Sequence, residues 1–417
     1  MTDWQHDLAS ITPFADVDYS GRFDEAFCDR WMNVGDPLSD QVIDAVRSDG
    51  YRGAAGVGDQ LSKVAALARS EGGMFAELYE QTRTLPPWVN TDMIVEGQRL
   101  VTNTHPFYGM SLFHSLFAGA AFVRAALVTG STGRLGGDPR RRITETSAMI
   151  FALAADGGHL PDSDGHNIVV KVRLLHSSIR YWITQNDIAK PSWAGVPIDQ
   201  TMLAITSSLF SYLNIRSLLR LGVSLSRDQV DAHHHLWRYV GWLLGIDEAL
   251  LTDSIEEERD LWHAVARHQA FPELLGGEAY VRFVSAQAGR LAPDRRGAAV
   301  ARRVFGDLHR HLSAPDWYGA ADAGRPEFGL DAGPGSTSTG WPVRALQAAA
   351  VPSSLADRFV PGVGTLKRRR VLVGYDRAMR SLRNHDYDVS TEDGADDDGG
   401  FTAAAEATLA ARFGVNA

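Results

Sequence analysis

The chain has 417 residues, 44% of them hydrophobic, and a formal net charge of −10, which argues against a nucleic-acid partner and supplies a substantial core for one large domain or two ordinary ones. Its single cysteine, Cys28, cannot form an internal disulfide and lacks the glycine-rich setting of a cytochrome P450 thiolate ligand. The opening Met-Thr-Asp-Trp-Gln-His carries no basic and apolar export signal, so a cytoplasmic location is expected.

In chain order, apolar residues recur every three to four positions over 60–83, 91–103, 107–129, 139–155, 167–186, 198–221, 227–246, 254–270, 278–290, 296–311, 342–358 and 368–383. Gly, Pro, Asp or Ser breaks separate these runs, and no alternating segment reads as a strand. The expectation is an all-α fold without a Rossmann glycine pattern, phosphate loop or repeat. Phe107 to Thr129 is long enough to span a bilayer, but His114 and Arg124 interrupt it. An arginine near the bilayer centre costs roughly 2.5–3.5 kcal/mol, so a buried core helix is expected there and no membrane span.

Residues 313–341 are rich in Gly and Pro, with a Gly-Pro-Gly-Ser-Thr-Ser-Thr-Gly run at 333–340, and read equally as a lid or a surface loop. Residues 384–400 form an acidic low-complexity linker containing Thr391 to Asp398. The domain plan is therefore a helical domain over 1–383, this linker, and a short C-terminal helix within 401–417, its alanine-rich stretch from Phe401 to Phe413 docking on the body or on another subunit. Lys367-Arg368-Arg369-Arg370 reads as a solvated helix start or as a partner for the acidic linker. The apolar pattern shows no clear exposed seam, which leaves a homo-oligomer open.

The chemistry-bearing residues concentrate in the middle of the chain. His176 sits within an apolar helical stripe of Val169, Val172, Ile179 and Ile183, with Arg173 and Arg180 one turn before and after it on the same face. A neutral imidazole in an oily groove with two cations at its rim suits a haem iron and its propionates. The alternative is a core histidine bonded to a backbone carbonyl. Upstream, Arg140 to Thr146 opens a helix whose apolar positions Met149, Ile150 and Leu153 carry Arg142 and Thr146 to the buried side, where polar groups need a partner. The competing view is a solvated basic turn after Asp138-Pro139.

Arg142, Thr146 and His176 in a Val-Arg-Leu-Leu-His run, followed by His235-Leu236-Trp237-Arg238-Tyr239-Val240-Gly241 and Leu243-Leu244-Gly245, resemble the catalytic domain of the latex-clearing rubber oxygenases and their MpaB-type relatives. The resemblance covers about Trp88 to Leu251. It implies a b-type haem in an all-helical, globin-like core, with His176 as the proximal iron ligand. It also implies that Arg142 and Thr146 hold haem or oxygen from the distal side, and the spacing of Arg173 and Arg180 around His176 suits them to neutralise the propionates. Rubber oxygenases carry a distal lysine where this chain has Glu145, and an acidic base on the preceding helix, whereas Gly97 to Gly137 here contains no Asp or Glu. Glu145 is then the nearest proton-transfer group. The implied function is a haem-b oxygenase or peroxidase-like oxidoreductase acting on a small or medium organic molecule with dioxygen or peroxide, and not rubber cleavage.

Two rivals stand beside it. Asp231-x-x-His234 and Asp260-x-x-His263 each place a carboxylate and an imidazole on adjacent turns, as a non-haem di-iron bundle does, with Glu96 and Glu145 as further donors. His233, His234 and His235 point about 100° apart on a helix and cannot all serve one metal. His235 and Arg238 read either as haem-pocket wall or as a buried polar pair. The other rival is a haem-binding sensor or carrier without turnover.

Overall fold

The computed structural model describes residues 1–48, 60–119, 122–131, 139–190, 193–271, 340–382 and 399–414, with isolated helical positions between 296 and 312. Among them the architecture is all-α, with no strand beyond one isolated bridge between Ser20 and Phe23. The expected 278–290 helix, the 313–341 loop apart from its last two residues, and most of the acidic linker lie outside the described residues.

Three helices precede the first expected element: α1 (Asp3–Ala9), α2 (Glu25–Trp31) and α3 (Pro37–Ser48). Each starts at a polar cap, as Asp24 shows by accepting from the Phe27 amide. The expected 60–83 helix is two, α4 (Gln60–Ser70) and α5 (Gly73–Arg83), because Gly72 and Gly73 turn the chain with positive φ. After α6 (Thr91–Asn103), the apolar run also divides, into α7 (Phe107–Ala118) and α8 (Val123–Ser131). Arg124, at the start of α8, is buried against the Asp199 carboxylate at 2.7 Å. No helix among the described residues is long and apolar enough to cross a membrane.

α9 (Pro139–Ala154) and α10 (Asp164–Gln185) form a hairpin, closed where Gly158 and Gly165 sit against the Ala152 carbonyl with no room for a Cβ. The Ser163 side chain caps α10 by accepting from the His166 amide. α11 (Gln200–Phe210) and α12 (Tyr212–Arg220) replace one expected helix, broken at Ser211. α13 (Arg227–Leu243) starts in a Ser226/Gln229 capping box, and α14 (Ile255–Gln269) puts three glutamates in its first turn, where the helix dipole favours them. The chain ends with α15 (Trp341–Phe359), α16 (Val363–Leu382) and α17 (Gly399–Phe413). α17 docks on the body: Glu406 accepts from Lys190 at 2.7 Å, and Leu409 is buried in a cluster with Val123, Leu127 and Ile183.

The main core collects Leu100, Tyr108, Leu213, Leu218, Trp237 and Trp262 from α6, α7, α12, α13 and α14. α10 packs on α3 through Leu174 against Val42, Ile43 and Val46, and polar contacts run alongside that apolar patch. The Arg173 guanidinium forks onto Asp36 at 2.6 and 2.9 Å and reaches Gln81 Oε1 at 2.9 Å. One turn on, Ser177 donates to Ser39 Oγ at 2.8 Å, and Arg180 pairs with Asp40 at 2.7 Å. Asp36 also accepts from the Ser39 amide, so one carboxylate caps α3 and neutralises α10. Gly245, at φ +82°, closes over the pair, and a Cβ there would run into Asp36 and Arg173.

Replacing Arg173 by Met strands a buried carboxylate, and urea titration should show a loss of about 3–5 kcal/mol. Adding Asp36→Asn should recover part of it. A single-variant loss below about 1 kcal/mol would show that water reaches the pair.

Candidate active site

Helical geometry determines which predicted residues meet. From the Ala152–Gly165 contact, Arg142 lies about 15 Å back along α9 and His176 about 16 Å on along α10. The two therefore stand at matching heights of the hairpin, with Glu145 and Thr146 about one turn nearer the loop. Glu145 and Thr146 are half-buried, next to buried Met149, Ile150 and Leu153. The Arg142 side chain lies outside the described residues.

His176 is half-buried as a whole, and its Nδ1 is enclosed without a hydrogen-bond partner. Burial, helped by the nearby Arg180 cation, pushes its pKa down to about 4, so the imidazole is neutral. A neutral ring with an unpartnered buried nitrogen is chemically able to ligate iron, and no carbonyl accepts from that Nδ1. Arg173 and Arg180 do not fit their expected role. Both guanidiniums are buried and spent on Asp36 and Asp40, with Arg180 also donating to the Ile198 carbonyl and to Ser177. Their positive charge is already neutralised within the protein.

His235 and Arg238 converge on the Trp88 ring. His235 Nε2 accepts the Asn90 amide at 2.9 Å, which fixes the proton on Nδ1, and its ring packs edge-on to Trp88. Arg238 lies over the same indole, 4.3 Å from its centroid, and pairs with Asp253 at 2.6 Å. His235 is buried at the start of α6, while Arg238 is half-buried and reaches the exposed Asp253.

The di-iron arrangement does not assemble. Asp231 is held by Arg227 at 2.8 Å and Asp260 by Arg259 at 3.2 Å, while Glu96 pairs with Arg99 at 3.2 Å. The consecutive histidines diverge as helix geometry requires: His233 meets Tyr108 Oη at 3.0 Å, His234 meets Thr252 Oγ1 at 3.0 Å, and His235 turns to Asn90. Among the described residues no three or more His, Cys, Asp or Glu side chains group around a metal position.

Glu258 carries no signal in the sequence pattern, since it looks like one more acid in the first turn of α14. It is instead buried at a cavity lined by Ser207, Ser208, His234, Thr252 and Leu261. Ser211 donates to its Oε2 at 2.7 Å, and His234 Nε2 stands 3.8 Å away. Burial pushes the carboxyl up to about 7, against the opposing pull of its hydroxyl donors. Asp36 and Asp40 also went unread, although an acid directly before Pro37 is a helix-start signature.

The described helices define an all-α protein with a neutral, half-buried histidine on α10, and comparison with known proteins gives that class a family. Residues 103–384 match the family model described as ER-bound oxygenase mpaB/B'/Rubber oxygenase, catalytic domain, and the chain belongs to that family of oxygenases. The match extends the expected resemblance well beyond Leu251 toward the C-terminus. A rubber oxygenase from Streptomyces sp. (strain K30) is 23% identical over 232 residues, 52% of this chain and 54% of that protein. The chain thus spans about half the length of the curated relative it matches. A solved structure of latex clearing protein in the closed state is 18% identical with a TM-score of 0.49, covering 82% of this chain and 90% of that one.

A carboxyl whose folded pKa is raised favours folding while protonated. The Glu258 contribution is intact below about 4.5, is lost as pH rises toward 7, and stays lost above. The decline is on the order of 3 kcal/mol. Thermal melts of the wild type and Glu258→Gln between pH 5 and pH 8 should diverge, the variant gaining relative stability at the alkaline end. Parallel curves would place Glu258 in water.

Proposed function

We propose that this chain is a haem-b-dependent oxygenase that oxidises a small or medium organic molecule with dioxygen or peroxide. The observation that carries the proposal is the neutral His176 imidazole with an enclosed, unpartnered Nδ1, on a helix inside the segment matched to an oxygenase catalytic domain. His176 would hold the prosthetic group from its proximal side. Bound there, a haem supplies the redox chemistry of iron with the oxidant.

The chain's own residues have the following roles in this proposal. Thr146 and Arg142, one turn apart on α9, orient the oxidant or the prosthetic group by donating hydrogen bonds. Glu145 carries a proton to or from the reacting molecule. The clasp of Asp36, Ser39 and Asp40 on Arg173, Ser177 and Arg180 fixes the rotation of α10 and so the direction of the His176 ring. Because those two arginines are engaged, the propionates require other donors. Polyisoprene is not the proposed substrate: Glu145 stands where rubber oxygenases have a ligating lysine, and no acid lies between Gly97 and Gly137.

The test is an absorption spectrum with a pyridine haemochrome assay on protein expressed with a haem supply. About one haem b per chain in the wild type, and its loss in His176→Ala, are the expected results. An unchanged Soret band in the variant removes His176 from the site. Glu145→Gln should retain the haem and slow peroxide-dependent oxidation of a dye donor by about 10²-fold or more, and an unaltered rate would leave Glu145 a bystander.

A further inference from the structure

The C-terminal hairpin differs in character from the rest of the molecule. Between Trp341 and Leu382 the sequence holds eight basic and two acidic residues, a local charge of +6 in a chain whose total is −10. The same stretch gathers exposed apolar side chains. Seven large hydrophobics are exposed among the described residues, and five of them are here, including Trp341 at 65%, Leu366 at 52% and Val360 at 50%.

These positions follow the helical period. On α15 the exposed residues include Trp341, Arg344, Ala345, Ala348, Ala349, Val351 and Pro352, while Val343 and Ala350 are buried on the other side. On α16 the exposed residues include Thr365, Leu366, Arg369, Arg370 and Val373, and the helix packs on α6 and α9. Arg368 is tied down to Asp156 and Lys367 to Ser353, so two cations anchor the hairpin and the neighbouring pair faces outward. Tryptophan, leucine and valine interleaved with arginine on one helical face is the composition of an interfacial amphipathic element. Neither helix is long and apolar enough to cross a bilayer, which leaves the surface plane.

We propose that the α15–α16 hairpin is a peripheral membrane-binding surface. Arg344, Arg369 and Arg370 take anionic lipid headgroups, and Trp341, Val360 and Leu366 enter the boundary between headgroups and acyl chains. Like charge excludes symmetric pairing with the hairpin of a second copy, and the exposed apolar residues beside the arginines match a bilayer, which offers anionic headgroups over an apolar interior. The same residues select the bilayer over the acidic segment at 391–398, since a run of aspartates offers no apolar cover for Trp341 and Leu366.

Co-sedimentation of the full chain with vesicles tests the assignment. Wild-type protein should pellet with phosphatidylcholine vesicles containing about 30% phosphatidylserine and stay in solution with phosphatidylcholine alone. Arg369→Glu with Arg370→Glu should weaken binding to the anionic vesicles at least tenfold, as should Trp341→Ser with Leu366→Ser. All four positions are exposed, so circular dichroism should be unchanged. Wild-type binding that is absent, equal on neutral vesicles, or insensitive to both variants overturns the proposal. Binding that emerges only after Asp396→Asn, Asp397→Asn and Asp398→Asn also overturns it, by giving the face to the acidic segment.

Discussion

The buried guanidinium–carboxylate clasp between α3 and α10 is the constraint on which the candidate site depends. Moving two charges out of water costs several kcal/mol each, and the cost is offset only by near-complete hydrogen bonding. Arg173 meets that condition with Asp36 on two nitrogens and Gln81 on the third. Gln200 surrounds the pair, donating to the Gly35 and Gly245 carbonyls at 2.7 and 2.9 Å. Apolar packing tolerates a helix rotated by some degrees, whereas a forked ion pair does not. Arg173, Ser177 and Arg180 lie on one line of α10, so their three partners on α3 set its rotation, and His176, about 60° around from that line, inherits its direction.

Most helices after residue 60 were legible because their period is strong and their breaks contain Gly, Pro or Ser. The three long runs that turned out to be pairs share one physical reason. Periodicity measures which residues are buried, and a helix can break at Gly72-Gly73 or Ser211 while its flanks go on burying the same side. The roles of Arg173 and Arg180 were misread for a different reason. Their spacing correctly placed both on the inward side of α10, but their partners are 137 and 140 residues earlier in the chain. Local spacing shows that a buried arginine needs an anion and cannot say whether that anion is a propionate or an aspartate. The divergence of His233, His234 and His235 was legible because it follows from helix geometry alone.

α13 shows how one helix distributes polar groups through an apolar core. His233 completes a fully buried set with Tyr108 and Trp237, whose indole donates toward the His233 Nε2 at 3.2 Å. His234 reaches the Glu258 cavity, and His235 caps the entry of α6. Burial is the leading cause of a lowered pKa at all three rings. Each imidazole is therefore a neutral hydrogen-bonding unit that ties a different element to α13, and unfolding in acid would protonate all three. Gly97 lets α6 approach the Ala232 carbonyl so closely that no side chain fits between them, which brings His235 within reach of Asn90.

The hairpin of α9 and α10 and the hairpin of α15 and α16 share a wall. α16 packs on α9, the helix that presents Glu145 and Thr146 toward the level of His176, and Arg368 reaches Asp156 just past the end of α9. The basic, partly apolar outer face and the inner face of α9 are thus separated by a single helix layer. Exposed tryptophan and leucine are unfavourably solvated at about 25 cal/mol for each Å² of apolar surface, and the proposed membrane contact would cover them. Under the proposed membrane contact, the wall that α16 shares with α9 would lie at the bilayer surface, and the ion-paired side of α10 would face away from α16.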